Sequence, residues 1–316
     1  MILDLFAGPG GWSEGLRSLG LHDVGIEWDA AACATRAAAG HLTVRADVAQ
    51  YPMERFAGRV EGLIASPPCQ DFSLAGKQAG RSGEKGQLID TVPVWVDALR
   101  PEWVACEQVP PALEVWEEFA VLFRSWGYST WCGVLNAADY GVPQTRRRAY
   151  LLASRVGPAL PPEPSHAKDP APSLFGPERA PWVVMADALG WGLSERPSNT
   201  VVSRSLDGGS RARKMLATEQ AVGRWVYERP ATTVVGSFCP DATAAPGYRT
   251  EVSRQDAEGS VKVTLAEGLT LQGFRPDYPV QGSRTKQWEQ VGNAVCPPVG
   301  AAVVAVLTSR TQRVAA

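Results

Sequence analysis

Short apolar runs alternate with segments of helical spacing through the first half of this chain, and few architectures accept that pattern. MILDLF runs into Gly8-Pro9-Gly10-Gly11 and the helical stretch WSEGLRSLG, and HDVGIEW then leads to AAACATRAAAG. LTVRAD, VEGLIAS, PEWVACEQV, YSTWCGVL and RAYLLAS supply further strands, with VPVWVDALR and LEVWEEFAVLFRSWG as helices. Alternation of this kind predicts a doubly wound α/β fold with a parallel-rich sheet. Ligands of such sheets bind at the carboxyl ends of the strands.

Composition narrows the possibilities. With 316 residues, 45% of them hydrophobic, the chain can bury a large core and fill two domains. Six cysteines (33, 69, 106, 132, 239 and 296) form no CxxC pair, and the only histidines are His22, His41 and His166. That distribution argues against a disulfide framework and against a zinc site. The first residues read as a strand, not a secretory signal, and no uninterrupted apolar run reaches membrane-helix length. A reduced, cytoplasmic protein without metal or membrane is expected. The net charge of −2 neither suggests nor excludes nucleic acid, because a local basic patch is what matters.

The pattern changes after residue 156. Residues 157–181 are dense in proline and read as a linker. Beyond them come short β-like runs and loops, with an internal echo between ERPSNTVVSRS (195–205) and ERPATTVVGSF (228–238). Two domains are therefore expected, one over 1–160 and a smaller, β- and loop-rich one over 165–280. The apolar helix after Gly292 is too apolar for a free tail, so 285–316 should pack back on the first domain.

Three clusters carry chemistry. The glycine turn after the first strand places backbone amides at a helix start, although Gly8-Pro9-Gly10-Gly11 lacks full dinucleotide-fingerprint spacing. Glu27 and Trp28 end the second strand, where an acid suits ribose hydroxyls and an indole suits an adenine face. Asp47 follows the third strand, placed to accept an adenine amino group; Glu27 and Asp47 also fit as solvated turn residues. In SPPCQDFS (66–73) two prolines stiffen the loop that presents Cys69, which an inert buried thiol would not need. Glu107, at the end of the strand ACEQV, and the run QTRRR (144–148) converge with Cys69 at one edge of the sheet. A thiolate, a carboxyl and guanidiniums together suit attack on an electron-poor ring. Taken singly, Glu107 fits as a strand-end surface acid, and Arg146 to Arg148 as a solvated charge run.

These stretches resemble the cytosine-5 DNA methyltransferases. DLFAGPGG is similar to that family's cofactor motif, SPPCQDFS to its nucleophile motif and Gln144-Thr145-Arg146-Arg147-Arg148 to its glutamine–arginine–arginine motif. ERPATTV, QGF and QVGNAV resemble its closing motifs, and all occur in family order. The resemblance implies a Rossmann-like methyltransferase sheet with a target recognition domain, and S-adenosylmethionine as cofactor. Duplex DNA would be the partner of a monomeric enzyme. It implies Cys69 as nucleophile toward cytosine C6, Glu107 acting at N3, and Arg148 holding O2 with Arg146 in support. Phe6, Gly8, Pro9, Gly10, Glu27, Trp28, Asp47, Val48, Pro68, Asn293 and Val295 would line the cofactor pocket. A stacked base is out of reach, so the cytosine must be flipped out. The glycine-rich stretch after Cys69 suits a closing lid whose Lys77, Arg81 and Lys85 touch phosphates, with Gln70, Ser73 and Gln144 also facing DNA. Arg204, Arg211 and Arg213 in the variable region would contact bases or phosphates.

Two other readings fit the same residues. One is the tRNA-methylating branch, which shares this chemistry; the other is a non-enzymatic DNA-binding relic, disfavoured by the intact cysteine, acid and arginines. One departure stands out: where the family has Glu-Asn-Val, this chain has Glu107-Gln108-Val109. The family's asparagine braces the nucleophile loop, so Gln108 should reach the Pro67–Gln70 backbone with one methylene more.

Overall fold

The computed structural model describes residues 1–68, 81, 83, 86–170, 172, 178–191, 227, 229–234, 242–243 and 261–309. Cys69, Gln70, Ser73, Lys77, Lys85, Arg204, Arg211 and Arg213 lie outside the described residues.

The first half forms a seven-stranded sheet. Its strands are β1 (Ile2–Leu5), β2 (Asp23–Glu27), β3 (Leu42–Arg45), β4 (Gly62–Ala65), β5 (Trp103–Gln108), β6 (Ser129–Asn136) and, after the two-residue β7 (Gln144–Thr145), β8 (Arg147–Ser154). Their spatial order is β3-β2-β1-β4-β5-β8-β6. The pairings are parallel from β3 to β5, while β8 runs antiparallel between β5 and β6. The central strands β1 and β4 are buried along their whole length, as their unbroken apolar sequences require.

Alternate residues of the strands feed two cores. Leu3, Leu5, Leu63, Ala65 and Cys106 face one layer with Trp95 of α3 (Thr91–Leu99) and Trp116, Phe119 and Phe123 of α4 (Leu113–Ser125). Ile2, Ile64, Ala105, Tyr150 and Leu152 face the other, against α1 (Gly11–Ser18) and α8 (Pro297–Thr308). α2 (Ala30–Ala38) is capped by the Asp29 side chain, which accepts from the amides of Ala31 and Ala32. The doubly wound sheet is thus as expected, and so is the return of the C-terminal helix. α1 and α8 approach closely because Gly11 and Gly15 carry no Cβ: one would lie 2.2 Å from the Val295 carbonyl oxygen, the other 2.7 Å from that of Pro297.

A third cluster joins α5 (Met185–Leu189), Ala231, Val234, α6 (Leu265–Gln272) and α7 (Arg284–Asn293) through Met185, Leu269, Trp288 and Val291. Among the described residues, Arg284–Thr308 is the one stretch long and apolar enough to cross a membrane, and most of its apolar part is buried inside the protein.

One ionic cluster lies entirely inside. Arg36 of α2 has no exposed surface; it donates to Asp23 Oδ2 at 2.8 Å, to Ser13 Oγ at 2.8 Å and to Thr43 Oγ1 at 2.9 Å. Its room exists because Gly25 has no side chain: a Cβ there would sit 2.3 Å from the guanidinium. Asp4 of β1 lies 3.8 Å from Arg36, and neither of its oxygens has a hydrogen-bond partner. Burial first, then the nearby Asp23 charge, raises its proton affinity far above that of an ordinary carboxyl. The folded state therefore holds a proton that the unfolded chain loses above pH of about 4. The parent's stability should fall relative to Asp4→Asn as pH rises from that value toward neutrality. Urea unfolding of both proteins across that range checks it; parallel curves would show Asp4 to be ionised in the fold.

Candidate active site

The carboxyl ends of β1, β2, β4 and β5 open onto one cavity of about 580 Å3. The turn after β1 forms its floor. Phe6, Gly8 and Gly10 all adopt left-handed backbone, with φ of 58°, 53° and 102°. This conformation is costly for the phenylalanine and free for the glycines. The Gly8 amide donates to Glu27 Oε2 at 2.7 Å, and the Asp29 amide donates to Oε1 at 2.7 Å. The Glu27 carboxylate is thereby fixed, and each oxygen keeps a lone pair for a further donor. Trp28 beside it is 70% exposed although it lines the cavity, so its ring face is open to a flat partner. Asp47 is held by the Ala49 amide (2.9 Å) and the Gln50 side chain (3.0 Å), and Val48 is buried next to it.

Phe6, Gly8, Pro9, Glu27, Trp28, Asp47, Val48, Pro68, Asn293 and Val295 all line this cavity. Gly10 does not. It is the N-cap of α1, and a Cβ on it would lie 2.9 Å from both the His41 ring and the Tyr278 hydroxyl, so its work is behind the wall. Trp12, Ser66, Lys286 and Gln290 also border the space, and sequence reasoning did not single them out. Gln290 and Asn293 belong to one motif three residues apart on α7, a spacing that puts both on one helix face.

The same cavity reaches Glu107, Arg146 and Arg148. Glu107 is buried at the end of β5, and its Oε1 lies 3.2 Å from Arg148 Nε. Burial raises the proton affinity of Glu107, and the Arg148 and Arg146 charges and a hydrogen bond from Ser66 oppose that rise. Arg146 is buried and donates to the carbonyls of Val234 (3.2 Å), Gly292 (2.9 Å) and Ala294 (3.1 Å). Its proton affinity falls to about 10, chiefly through burial. The four described cysteines are free thiols, all pushed up by burial; Cys296, against the two arginines, is raised to about 11. None of these four is poised as a thiolate.

One expected DNA contact is placed otherwise. Gln144 is fully buried: its amide donates to the Leu271 carbonyl (2.9 Å) and to Gln272 Oε1 (2.8 Å) and accepts from the Val234 amide (2.9 Å). With those partners it faces the interior, and it is corrected from a DNA contact to an interior tie. Arg81 is exposed but occupied, paired with Asp90 and Glu118 at 2.6 Å each and lying over the Phe119 ring. Among the described residues no group of three or more His, Cys, Asp or Glu is arranged to hold a metal.

The family described as C-5 cytosine-specific DNA methylase matches residues 1–178, more than half of the chain. The chain belongs to the C-5 cytosine-specific DNA methylase family.

This methyltransferase is 28% identical to type II methyltransferase M.NgoFVII of Neisseria gonorrhoeae, over 95% of this chain and 83% of that protein. It is 26% identical to type II methyltransferase M1.HphI of Haemophilus parahaemolyticus, over 98% and 87%. Among solved structures it is similar in fold to Spodoptera frugiperda DNMT2 (TM-score 0.65, 18% identity, 97% of this chain and 98% of that one). Entamoeba histolytica EhMeth is likewise similar in fold (TM-score 0.65, 14% identity, 98% of each chain).

The departure at Gln108 has a geometric outcome. Its Nε2 donates to the Pro67 carbonyl at 2.8 Å and the Pro68 carbonyl at 3.3 Å, while its Oε1 accepts from the Val109 amide at 2.7 Å. The longer amide does brace the loop that leads to Cys69. Gln108→Asn, one methylene short of those carbonyls, should lower single-turnover methyl transfer within about tenfold. Gln108→Leu should lower it on the order of a hundredfold, since a shift of about 1 Å in a reacting group carries that penalty. Cofactor affinity should stay near that of the parent in both. A Gln108→Leu enzyme as fast as the parent would show that the brace holds nothing that matters to the reaction.

Proposed function

We propose that this methyltransferase moves a methyl group from S-adenosylmethionine to C5 of a cytosine flipped out of duplex DNA, with Cys69 as nucleophile. One observation carries the reading: a single cavity is lined at one end by Glu27, Trp28 and Asp47 and at the other by Glu107, Arg146 and Arg148, with Pro67 and Pro68 between. Two different ligands meeting end to end would use such a space.

The residues at the first end fit the cofactor. Glu27, fixed by two amides, keeps lone pairs for the ribose hydroxyls; the open Trp28 face suits the adenine ring; Asp47 accepts the adenine amino group. Asn293 and Val295 from the α7–α8 link complete the wall, with Phe6, Gly8, Pro9, Val48 and Pro68. When bound, S-adenosylmethionine supplies an electrophilic methyl group.

At the second end the chain's residues prepare the base. The Cys69 thiolate bonds to C6, and the C5–C6 π electrons move toward C5. Glu107, whose burial raises its proton affinity, hydrogen-bonds N3 as negative charge gathers on the ring. Arg148 holds O2 while Arg146 supports the site from below. After C5 is methylated, loss of its proton and departure of the thiolate restore the ring and free Cys69. In this reading 1–160 with 285–316 is the catalytic domain and 165–280 the target recognition domain. Arg204, Arg211 and Arg213 there touch mainly phosphates, since backbone contacts outnumber base contacts. Gln70, Ser73, Lys77 and Lys85 meet DNA beside the flipped base.

The test is trapping. Duplex DNA carrying 5-fluorocytosine should form a covalent adduct, because fluorine cannot leave as a proton and Cys69 stays bonded. Cys69→Ala should abolish the adduct, and changes at Cys106 or Cys296 should spare it; an adduct mapped to either of those overturns the assignment. A labelled-methyl assay should show transfer to duplex DNA in preference to tRNA.

The cofactor end has its own check. S-adenosylmethionine should quench tryptophan fluorescence, and Trp28→Ala should weaken binding at least roughly tenfold, about 1.4 kcal/mol. Equal affinity in parent and variant would remove Trp28 from the pocket's work.

A further inference from the structure

The floor of the cavity is held from behind by a distant part of the chain. In the turn after β1, the peptide unit between Pro9 and Gly10 is tied at both ends. The Gly10 amide donates to the Ala7 carbonyl at 3.2 Å, and the Pro9 carbonyl accepts from the Tyr278 hydroxyl at 2.6 Å. The second bond is buried and spans 269 residues. Tyr278 belongs to the third cluster, with its ring tilted on Phe274 at a centroid distance of 4.7 Å. The residues that follow it grip α2: the Gln281 amide donates to Thr35 Oγ1 at 2.8 Å, and that hydroxyl donates to Gln290 Oε1 of α7 at 2.6 Å. Burial raises the proton affinity of the Tyr278 hydroxyl, so it stays a donor. Neither Gly10 nor Tyr278 borders the cavity, and the bonded Pro9 carbonyl therefore points behind its floor.

We propose that Tyr278 is a positioning residue for the cofactor, a lock that keeps the Pro9 carbonyl turned away from the cavity and the turn in its binding form. This rests on the reading of that cavity end as the cofactor site and deepens it. Gly10 is what makes a lock necessary. At φ of 102° it has no Cβ to restrict it, while the Pro9 ring fixes its own φ and leaves ψ free. The peptide unit between them can therefore rotate, which swings the carbonyl toward the cavity and breaks the bond to Ala7. Without the Tyr278 hydroxyl, the unrotated form leaves a buried acceptor without its donor, and that favours the rotation. The outcome reaches the cofactor because Pro9 and Gly8 line the cavity, and the Gly8 amide holds Glu27 Oε2 at 2.7 Å. A turn with two forms binds only for the fraction of time it spends in the competent one, and apparent affinity falls by that fraction. The bound enzyme is the same in either case, so the chemical step is untouched.

Tyr278→Phe removes the hydroxyl and keeps the ring against Phe274, so the fold is retained. The variant should bind S-adenosylmethionine about five- to tenfold more weakly in the tryptophan-quench titration, the weight of one net hydrogen bond. KM for the cofactor should rise by the same factor, while the single-turnover rate at saturating cofactor and duplex DNA stays at the parent's value. A readout independent of the cofactor is hydrogen–deuterium exchange of the free full-length protein, read by mass spectrometry. The segment 7–12 should exchange faster in the variant than in the parent, with β4 and β5 unchanged, and S-adenosylmethionine should restore its protection. Parent-like exchange at the turn overturns the lock. So does faster exchange spread evenly over the sheet, which marks a general loss of stability, and so does a lower rate at saturation with unchanged cofactor affinity. A parent protein that does not bind S-adenosylmethionine overturns the cofactor reading instead, and the exchange of the two free proteins then still decides whether the hydroxyl locks the turn.

Discussion

A guanidinium sealed from water holds the two ends of this molecule's cavity in register. Arg146 reaches the Gly292 carbonyl in the last turn of α7 and the Ala294 carbonyl just past it, where the helix leaves acceptors unpaired and its dipole favours a cation. Its third contact is the Val234 carbonyl, from the stretch beyond the proline-rich segment. One side chain thus ties the β7–β8 segment, the wall that carries Asn293 and Val295, and the stretch at Val234. Gln144, two residues earlier, repeats the connection with amides: it accepts from Val234 and donates to Gln272, which donates to Ala294. Losing the Arg146 fork would take that donor from the Val234 and Gly292 carbonyls, at a cost of about 1–3 kcal/mol each, while Ala294 would keep Gln272.

The surroundings of Glu107 and of the cysteines follow one rule applied to different neighbours. Burial chiefly drives Cys106 and Cys132 away from ionisation, reinforced at Cys132 by the Glu117 charge and opposed there only in part by Arg124. Glu107 is buried as deeply, but Arg148 and Arg146 pull against the loss of water. A chain with several thiols and several acids can thereby keep one carboxyl adjustable while the described thiols stay inert.

The sheet was legible because its strands are short, apolar and separated by helical spacing; every strand from β1 to β6 and β8 falls on a run readable in the sequence. That Glu27, Trp28 and Asp47 line one cavity was legible for the same reason, since strand ends in a parallel sheet converge. The errors came from contacts that the chain's order hides. QTRRR reads as a charge run, yet in an extended segment residues alternate, so Gln144 and Arg146 point inward and Arg147 outward. The pairing of Arg81 with Asp90 and Glu118 is likewise marked by no local spacing. The tie between Trp12 and Ser66 spans 54 residues and leaves no local spacing to find. Gln108, by contrast, was readable as a brace because its neighbours on both sides were recognisable.

The packing of α1 against α8 has a consequence for how the molecule comes into being. Gly11 and Gly15 lie against backbone atoms of Val295, Pro297 and Ala301, so α1 is roofed by a helix made long after it. On a ribosome, where synthesis proceeds at about 5–20 residues per second, that face stays uncovered until α8 has emerged. The floor of the cavity is in place early, but its wall at Asn293 and Val295 is not, so a truncated nascent chain has nowhere to close the site. Closing so long a loop is slow, and it makes the arrival of α8 the event that separates a folded sheet from a working enzyme.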